Sequence, residues 1–406
     1  MSQRNDTAIE SGSGLFWRAT LALCVGSYII FANLYLTQPL LPMLAQEFEV
    51  NALEAGWSFT VSTLTLGLSL LVYGPLSDAI GRRGLMILSI GGTALITLLL
   101  SQTHDYSTLL ILRGLQGFLM GGLPAIAIAY MGDEYSKKAL LIAVGVYISG
   151  NTLGGISGRL IGGFVGDWLG WSAAFEVMTL LSVLGLLVFA LLLPPSRRFK
   201  AQSLHPLAMG RDLLGHLRNP LLLAAYLIGG FNFFIFINQY SYITFVLADA
   251  PYNLPASLLG MLFLTYLSGT LGSAFSGKIA QYLPQPLVIA LGIGVLICGS
   301  LVTLLPSLVG IIFGFLLNSF GFFLAHSSAS GWVSRAAPHA RASANSLYLV
   351  FYYLGASCGG FYLDPFWQWA GWSGVVTGSV FVLGITLSLS LWLLLQDKRH
   401  LQAHPA

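Results

Sequence analysis

Of 406 residues only 8% are Asp, Glu, Lys or Arg, while 56% are apolar and the mean hydropathy is +0.79. A soluble domain carries about a quarter charged residues, so this composition excludes an aqueous surface and makes lipid the solvent. The net charge of +3 is spread over short loops beside apolar runs, which excludes a nucleic-acid surface and points to membrane orientation.

Apolar runs of spanning length are predicted at 15–44, 55–77, 84–102, 108–131, 139–164, 173–193, 220–247, 257–275, 287–305, 308–333, 344–363 and 372–395. The charge-free stretch Ala19–Gln46 is longer than the apolar region of a cleavable signal, so the first run is expected to remain as a span. Twelve spans put both termini on one side. All Lys and Arg except Arg113 and Arg159 fall on alternate connections, from Arg4 and Arg18 through Arg82, Arg83, Lys137, Lys138, the Arg197–Arg218 stretch with Lys200, Lys278, Arg335 and Arg341 to Lys398 and Arg399. The other connections carry only acids: Glu47, Glu49, Glu54, Asp105, Asp167, Asp249 and Asp364. That asymmetry places the basic loops and both termini in the cytoplasm.

Span 1 presents an aromatic face of Tyr28, Phe31 and Tyr35, with Asn33, Thr37 and Gln38 as its polar residues. Between spans 2 and 3, Gly81 permits a tight reversal, and Asp78 is placed to pair with Arg82 or Arg83. Arg113 lies inside span 4 with Gln116 one turn away. Burying such a charge costs at least about 2.5–3.5 kcal/mol, so it is expected to face the bundle interior or water. Asp133 and Glu134, at the end of that span, read as solvated partners of Lys137 and Lys138. In span 5 the glycines Gly154, Gly155, Gly158, Gly162 and Gly163 favour close helix approach beside Asn151. Arg159 is expected either to snorkel to the interface or to pair with an acid such as Asp167. Glu176, five residues past Trp171, is a titratable candidate in span 6.

Pro194–Pro220 is the only long polar connection, dividing the chain into a six-span bundle at 1–193, a linker at 194–219 and a second bundle with a short tail at 220–406. Span 7 is dense in amides and rings: Asn232, Phe233, Phe236, Asn238, Gln239, Tyr240 and Tyr242. Asn232 and Gln239, seven apart, share a helix face and read either as substrate contacts or as interhelical hydrogen bonds. Span 10 adds Asn318 and His326. The imidazole is the deepest group titrating near neutrality; its alternatives are proton exchange or a neutral ring bonded to a carbonyl or serine. Cys24, Cys298 and Cys358 sit singly in apolar runs and read as packing residues.

The halves resemble one another. Gly74–Asp78 aligns with Gly277–Gln281 and Gly117 with Gly321; Tyr147, Gly150, Gly154 and Gly155 align with Tyr352, Gly355, Gly359 and Gly360; and Gly170-Trp171-Ser172 recurs as Gly371-Trp372-Ser373. Four matches in one order at a nearly constant offset indicate duplication, a known transporter plan.

The segment Gly74-Pro75-Leu76-Ser77-Asp78-Ala79-Ile80-Gly81-Arg82-Arg83 resembles the loop signature of the major facilitator superfamily. Arg113-Gly114-Leu115-Gln116-Gly117 resembles its second signature, and Gly150-Asn151 with Gly154-Gly155 resembles the antiporter signature, except that Asn151 stands where those exporters usually have proline. The resemblance covers the whole chain and is closest to bacterial twelve-span inner-membrane exporters of drugs and metabolites. It implies an all-α membrane fold of twelve helices in two pseudo-repeat halves, usually monomeric, and a cavity formed by spans 1, 4, 7 and 10. It further implies gating by Asp78, Gly81, Arg82 and Arg83, with Asp78 capping the start of span 11 at Ser343-Ala344-Asn345, and a place for Arg113 in a proton relay. The proton-coupling candidates are then Arg113, His326 and Glu176. The substrate-binding candidates are Tyr28, Phe31, Tyr35, Gln38, Gln116, Asn151, Asn232, Phe236, Gln239, Tyr242 and Asn318. The expected activity is proton-coupled export of small amphipathic or aromatic compounds, without cofactor or metal. A sugar or metabolite permease and a non-transporting sensor are its rivals. With no HExxH, intramembrane His/Asp cluster or Ser/Lys pair in the sequence, an enzyme is the weakest reading.

Overall fold

The structure, a computed structural model, describes residues 8–199, 201, 206–337 and 341–403. Among the orienting cations, Arg4 and Lys200 lie outside the described residues, as do the side chains of Arg341, Lys398 and Arg399. The described chain is helical almost throughout. Its membrane helices are α1 (Gly14–Glu47), α2 (Ala52–Ile80), α3 (Arg82–Ser101), α4 (Tyr106–Glu134), α5 (Lys137–Leu169), α6 (Trp171–Leu192), α7 (Pro220–Ala248), α8 (Ala256–Ile279), α9 (Gln285–Val302) and α10 (Leu308–Ala336). A last apolar stretch, Ser343–Gln396, contains α11 (343–369) and α12 (372–396).

Side chains at the loop ends start these helices by satisfying amides that have no partner in the first turn. Ser13 accepts from the Phe16 amide, Asp105 from Thr108, Ser136 from Ala139 and Ser307 from Gly310. Asn219 accepts from Leu221 and Leu222, with Pro220 at the first helical position. The Thr108 amide and hydroxyl also hold the Asp105 carboxyl below the usual carboxylate range.

The predicted spans correspond to these helices, with two differences. The connection expected between the last two spans is helical except at Ala370 and Gly371, so two residues make the whole turn. The linker, read from sequence only as polar, contains a helix at Pro206–Arg218.

Two compact units are present. The first contains α1, α2 from Trp57, α3 to α6 and Pro255–Met261; the second contains Asn51–Gly56, the linker helix, α7, α8 from Leu262, and α9 to α12. In the first, Gly150, Gly154, Gly158 and Gly162 of α5 step along α1 opposite Cys24, Tyr28, Ala32 and Leu36, and a β-carbon on any of them would overlap the facing carbonyl oxygen. In the second, Gly355 and Gly359 of α11 meet the carbonyls of Gly230 and Phe234 on α7 in the same way. Gly170, between α5 and α6, has φ +90°, and Gly371, between α11 and α12, has φ +56°. The repeated Gly-Trp-Ser therefore makes a left-handed turn at the same place in each half, one that glycine adopts without penalty.

Candidate functional site

At the turn between α2 and α3, Gly81 has φ +107°. The adjoining Arg82 side chain is buried and bridges two acids: Asp78, one turn earlier, at 3.0 Å, and Asp133, at the end of α4, at 2.5 Å. Arg83 donates to the main-chain oxygens of Ala190 at 2.7 Å and Leu193 at 3.0 Å, where α6 ends. Proximity in sequence favours Lys137 and Lys138 as partners of Asp133 and Glu134. Instead Asp133 takes Arg82, and the buried Glu134 carboxylate accepts the amides of Arg197 at 2.8 Å and Arg198 at 2.9 Å. Those amides lie just past the end of α6, where no helical acceptor remains for them. The N-terminal segment joins the same loop: the Ile9 amide donates to the Glu134 carbonyl at 2.7 Å, and the Ser136 amide to the Ile9 carbonyl at 3.1 Å. The Tyr135 hydroxyl shares a 3.1 Å hydrogen bond with Thr20.

Deeper in this unit Arg113 is 0% exposed, which puts its charge wholly inside the bundle. Its Nε donates to the Ser58 carbonyl at 2.8 Å, and its terminal nitrogens donate to the carbonyls of Asn33 at 3.3 Å and Leu34 at 3.1 Å, to Thr37 Oγ1 at 3.5 Å and to Gln116 Oε1. The sequence explains why these carbonyls are available. The first helical stretch of α1 ends at Tyr35, ahead of Pro39 and Pro42, and Asn33 and Leu34 are in its last turn, where carbonyls lack intrahelical donors. Gln116 passes the network on, donating to Thr97 Oγ1 at 2.8 Å; Thr97 donates to Asn33 Oδ1 at 2.7 Å, and Asn33 donates to Ser182 Oγ at 2.9 Å. Every acceptor of Arg113 is neutral. A guanidinium keeps its proton, so among the described residues the network holds a positive charge against dipoles alone.

Arg159 is buried as well. Its Nε donates to Gln38 Oε1 at 2.8 Å, and its guanidinium carbon lies 3.9 Å from the Tyr35 ring centroid. This corrects the snorkelling expectation: a ring face and an amide hold the charge inside, a contact that strengthens when desolvated. Asp167 accepts from Ser257 at 2.7 Å. Tyr35 stacks between Phe31 and Phe59, with centroids at 6.4 and 5.8 Å. Tyr28 and Asn151 are half-buried, and Glu176 is exposed on α6.

In the second unit the amides of α7 make interhelical hydrogen bonds. Asn232 accepts from Thr386 of α12 at 2.8 Å. Gln239 donates to Ser300 of α9 at 3.0 Å and accepts from Asn318 of α10 at 2.7 Å. The Tyr242 hydroxyl donates to the Gly360 carbonyl at 3.2 Å and to Asp364 at 3.4 Å. Phe236 stacks on Phe322 at 3.9 Å and 6°, and Phe322 stacks on the His326 ring at 5.7 Å and 10°. His326 Nδ1 is 3.0 Å from the Tyr348 hydroxyl, and its ring is 4.7 Å from that of Tyr352. His326 and Tyr352 are the half-buried members of a stack whose Phe233, Phe236 and Phe322 are buried. No group of His, Cys, Asp and Glu suited to a metal occurs among the described residues.

Asn33, Thr97 and Ser182 complete the Arg113 network, and Ser300 and Thr386 join the α7 amides; none of these five is among the predicted site residues. The available signal was a hydroxyl or amide isolated within an apolar run.

The family model described as Major Facilitator Superfamily matches residues 23–360. The chain belongs to the major facilitator superfamily. It is 36% identical to the MFS-type transporter YybF of Bacillus subtilis (strain 168), over 97% of this chain and 98% of that protein. It is also 36% identical to the inner membrane transport protein YnfM of Escherichia coli (strain K12), over 97% and 94% respectively. Among solved structures, a mutant of the nucleoside transporter NupG superposes with a TM-score of 0.72 at 14% identity, covering 93% of this chain and 99% of that one. A bacterial homologue of the human lysosomal transporter Spinster, inward-facing and occupied, gives 0.71 at 16% identity, covering 95% and 98%. These likenesses establish the major facilitator fold for a multi-pass membrane protein, in agreement with the resemblance of the Gly74–Arg83 signature.

Proposed function

We propose that this chain is a secondary transporter that exports small amphipathic or aromatic organic compounds in exchange for protons, by alternating access. In this reading residues 1–193 and 220–406 are the two bundles that rock, 194–219 is a cytoplasmic linker, and both termini are cytoplasmic. The observation that carries proton coupling is His326, an imidazole able to take up and release a proton, set in a membrane helix against Phe322, Tyr348 and Tyr352 and 3.0 Å from the Tyr348 hydroxyl. The ring stack also favours aromatic solutes over phosphorylated ones, which require clustered cations. Arg113 adds a fixed charge in the other bundle, able to favour the deprotonated form of an acidic group that approaches it. The Asp78–Arg82–Asp133 cluster is the gate element at the loop ends.

The test is counterflow of a fluorescent aromatic cation in vesicles containing the purified protein. An imposed pH gradient should drive accumulation against the dye gradient, and His326→Ala should abolish that drive while dye binding persists. Wild-type flux that merely equilibrates, indifferent to the pH gradient, replaces this reading with a facilitative permease.

A further inference from the structure

A cleft of about 550 Å³ opens where the linker helix meets the start of α7 and the end of α12, lined by Gly215, Arg218, Asn219, Pro220, Leu221, Trp392 and Gln396. Its polar side chains are mostly donors: a guanidinium, two amides and an indole N–H. The Asn219 carbonyl oxygen is already committed to the Leu221 amide at 3.0 Å and the Leu222 amide at 3.4 Å, which leaves its NH2 group to donate elsewhere. Among the described side chains, which do not include those of Asp212 and Asp397, no carboxylate lies within ion-pair distance of Arg218, and Arg218 is exposed. The residues that line the cleft thus make a positive, donor-rich hollow.

Its surroundings narrow the class of anion. The cleft joins two spanning helices at their ends, so it lies at a membrane face. Trp392 is an indole at that level, where tryptophan is favoured. On α12, Leu391 and Leu395 flank it and are 44% and 57% exposed, offering apolar surface directed to the lipid side. On the linker helix Arg211, Leu214, Gly215 and Arg218 fall at helical spacing on one exposed stripe, with two cations a heptad apart. Gly215 has nothing within 4 Å of where a β-carbon would stand, so the rim is open to a headgroup. A cationic polar end continuous with an apolar helix surface matches an amphiphile with an anionic head.

The geometry points to a binding site for the phosphodiester headgroup of an anionic phospholipid such as phosphatidylglycerol. Arg218 takes the phosphate in a charge-assisted, bidentate contact, Gln396 and Asn219 donate to its remaining oxygens, and the acyl chains lie along Leu391 and Leu395. Free phosphate shares the head's chemistry but uses none of the apolar surface. The site is independent of transport direction and of proton coupling.

Native mass spectrometry of the full-length protein, delipidated and then titrated with phosphatidylglycerol or phosphatidylcholine, tests the assignment. Phosphatidylglycerol should be retained in preference to phosphatidylcholine, and Arg218→Gln should weaken its apparent affinity about tenfold, as expected for one lost charged hydrogen-bond partner. Equal retention of the two lipids, or equal retention by wild type and R218Q, overturns the proposal. Inorganic phosphate is the second arm: stabilisation against heating by phosphate equal to that by the lipid assigns the cleft to a free anion and overturns the lipid. Should R218Q fail to fold, photoactivatable phosphatidylglycerol on the wild type decides. Cross-links in peptides bearing Leu214–Leu221 or Leu391–Gln396 support the site, and cross-links confined to other helices refute it.

Discussion

Gly154 of α5 lies directly against the Tyr28 carbonyl of α1, so that a β-carbon on the glycine would occupy the oxygen's place. Gly150, Gly158 and Gly162 repeat the relation at every turn, which makes the α1–α5 seam a backbone-to-backbone contact. Gly154→Val should therefore force the helices apart and cost about 1–3 kcal/mol, the usual cost of overpacking. Gly145, on the same helix with nothing within 4 Å, is the internal control. Thermal unfolding in detergent should show G154V well below wild type and Gly145→Ala indistinguishable from it.

Arg113 predicts a different signature. Its removal leaves the Gln116 oxygen and the carbonyls of Ser58, Asn33 and Leu34 buried with fewer donors, at about 1–3 kcal/mol for each group left unsatisfied. Arg113→Ala should lower the melting temperature and abolish gradient-driven transport. Arg113→Lys keeps the charge but not the planar fork, and should recover part of the stability and little of the transport. An R113K protein as active as wild type would show that charge alone suffices.

Arg82 separates stability from activity. Asp78 and Asp133 are both partly exposed, and such pairs contribute about 0–1 kcal/mol. Asp78→Asn and Asp133→Asn should thus leave the melting temperature within a few degrees of wild type. If the cluster gates, each should reduce initial transport rates several-fold in vesicles, and the double variant should be no worse than the more impaired single one. Rates that multiply in the double variant would mean the two acids act separately.

Tyr135, outside the spans, predicts a pH dependence. Burial, with a smaller contribution from the nearby Glu134 charge, pushes its phenol up to about 12, against the lowering effect of the Thr20 hydrogen bond. The folded protein keeps this proton where the unfolded chain, titrating near 10, has lost it. The contribution is therefore full below pH 10 and disappears as pH rises through 12. At about 1.4 kcal/mol per pKa unit, the two-unit shift amounts to roughly 3 kcal/mol. Melting temperatures between pH 9 and 12 should fall less steeply for Tyr135→Phe than for wild type.

The helices and the repeat were legible because both follow from short-range regularities: uninterrupted apolar length, loop charge, and glycines spaced by four. Arg113, Gln116 and His326 were legible as polar groups too costly to place in lipid without a reason. Their partners were not. Asn33, Thr97 and Ser182 are ordinary residues of three helices, and no local pattern shows that they converge. Glu134 misled for a similar reason. Lys137 and Lys138 are its neighbours along the chain, whereas the amides of Arg197 and Arg198 reach it only once α5 and α6 have crossed and returned. The amides of α7 divided differently: their shared face was readable, but the serine and threonine that bind them lie on α9 and α12.

The Glu134 clasp bears on how the polypeptide can be divided. Because the amides of Arg197 and Arg198 are fastened to the loop after α4, the stretch up to there travels with the first unit, although its sequence reads as linker. A gene split just after Leu193 would strip that anchor from the first fragment, whereas one split at 201–205 would leave it whole. Coexpressed as two chains, the second pair of fragments is the one suited to reassembly, and the same short window is the natural entry point for an inserted reporter domain.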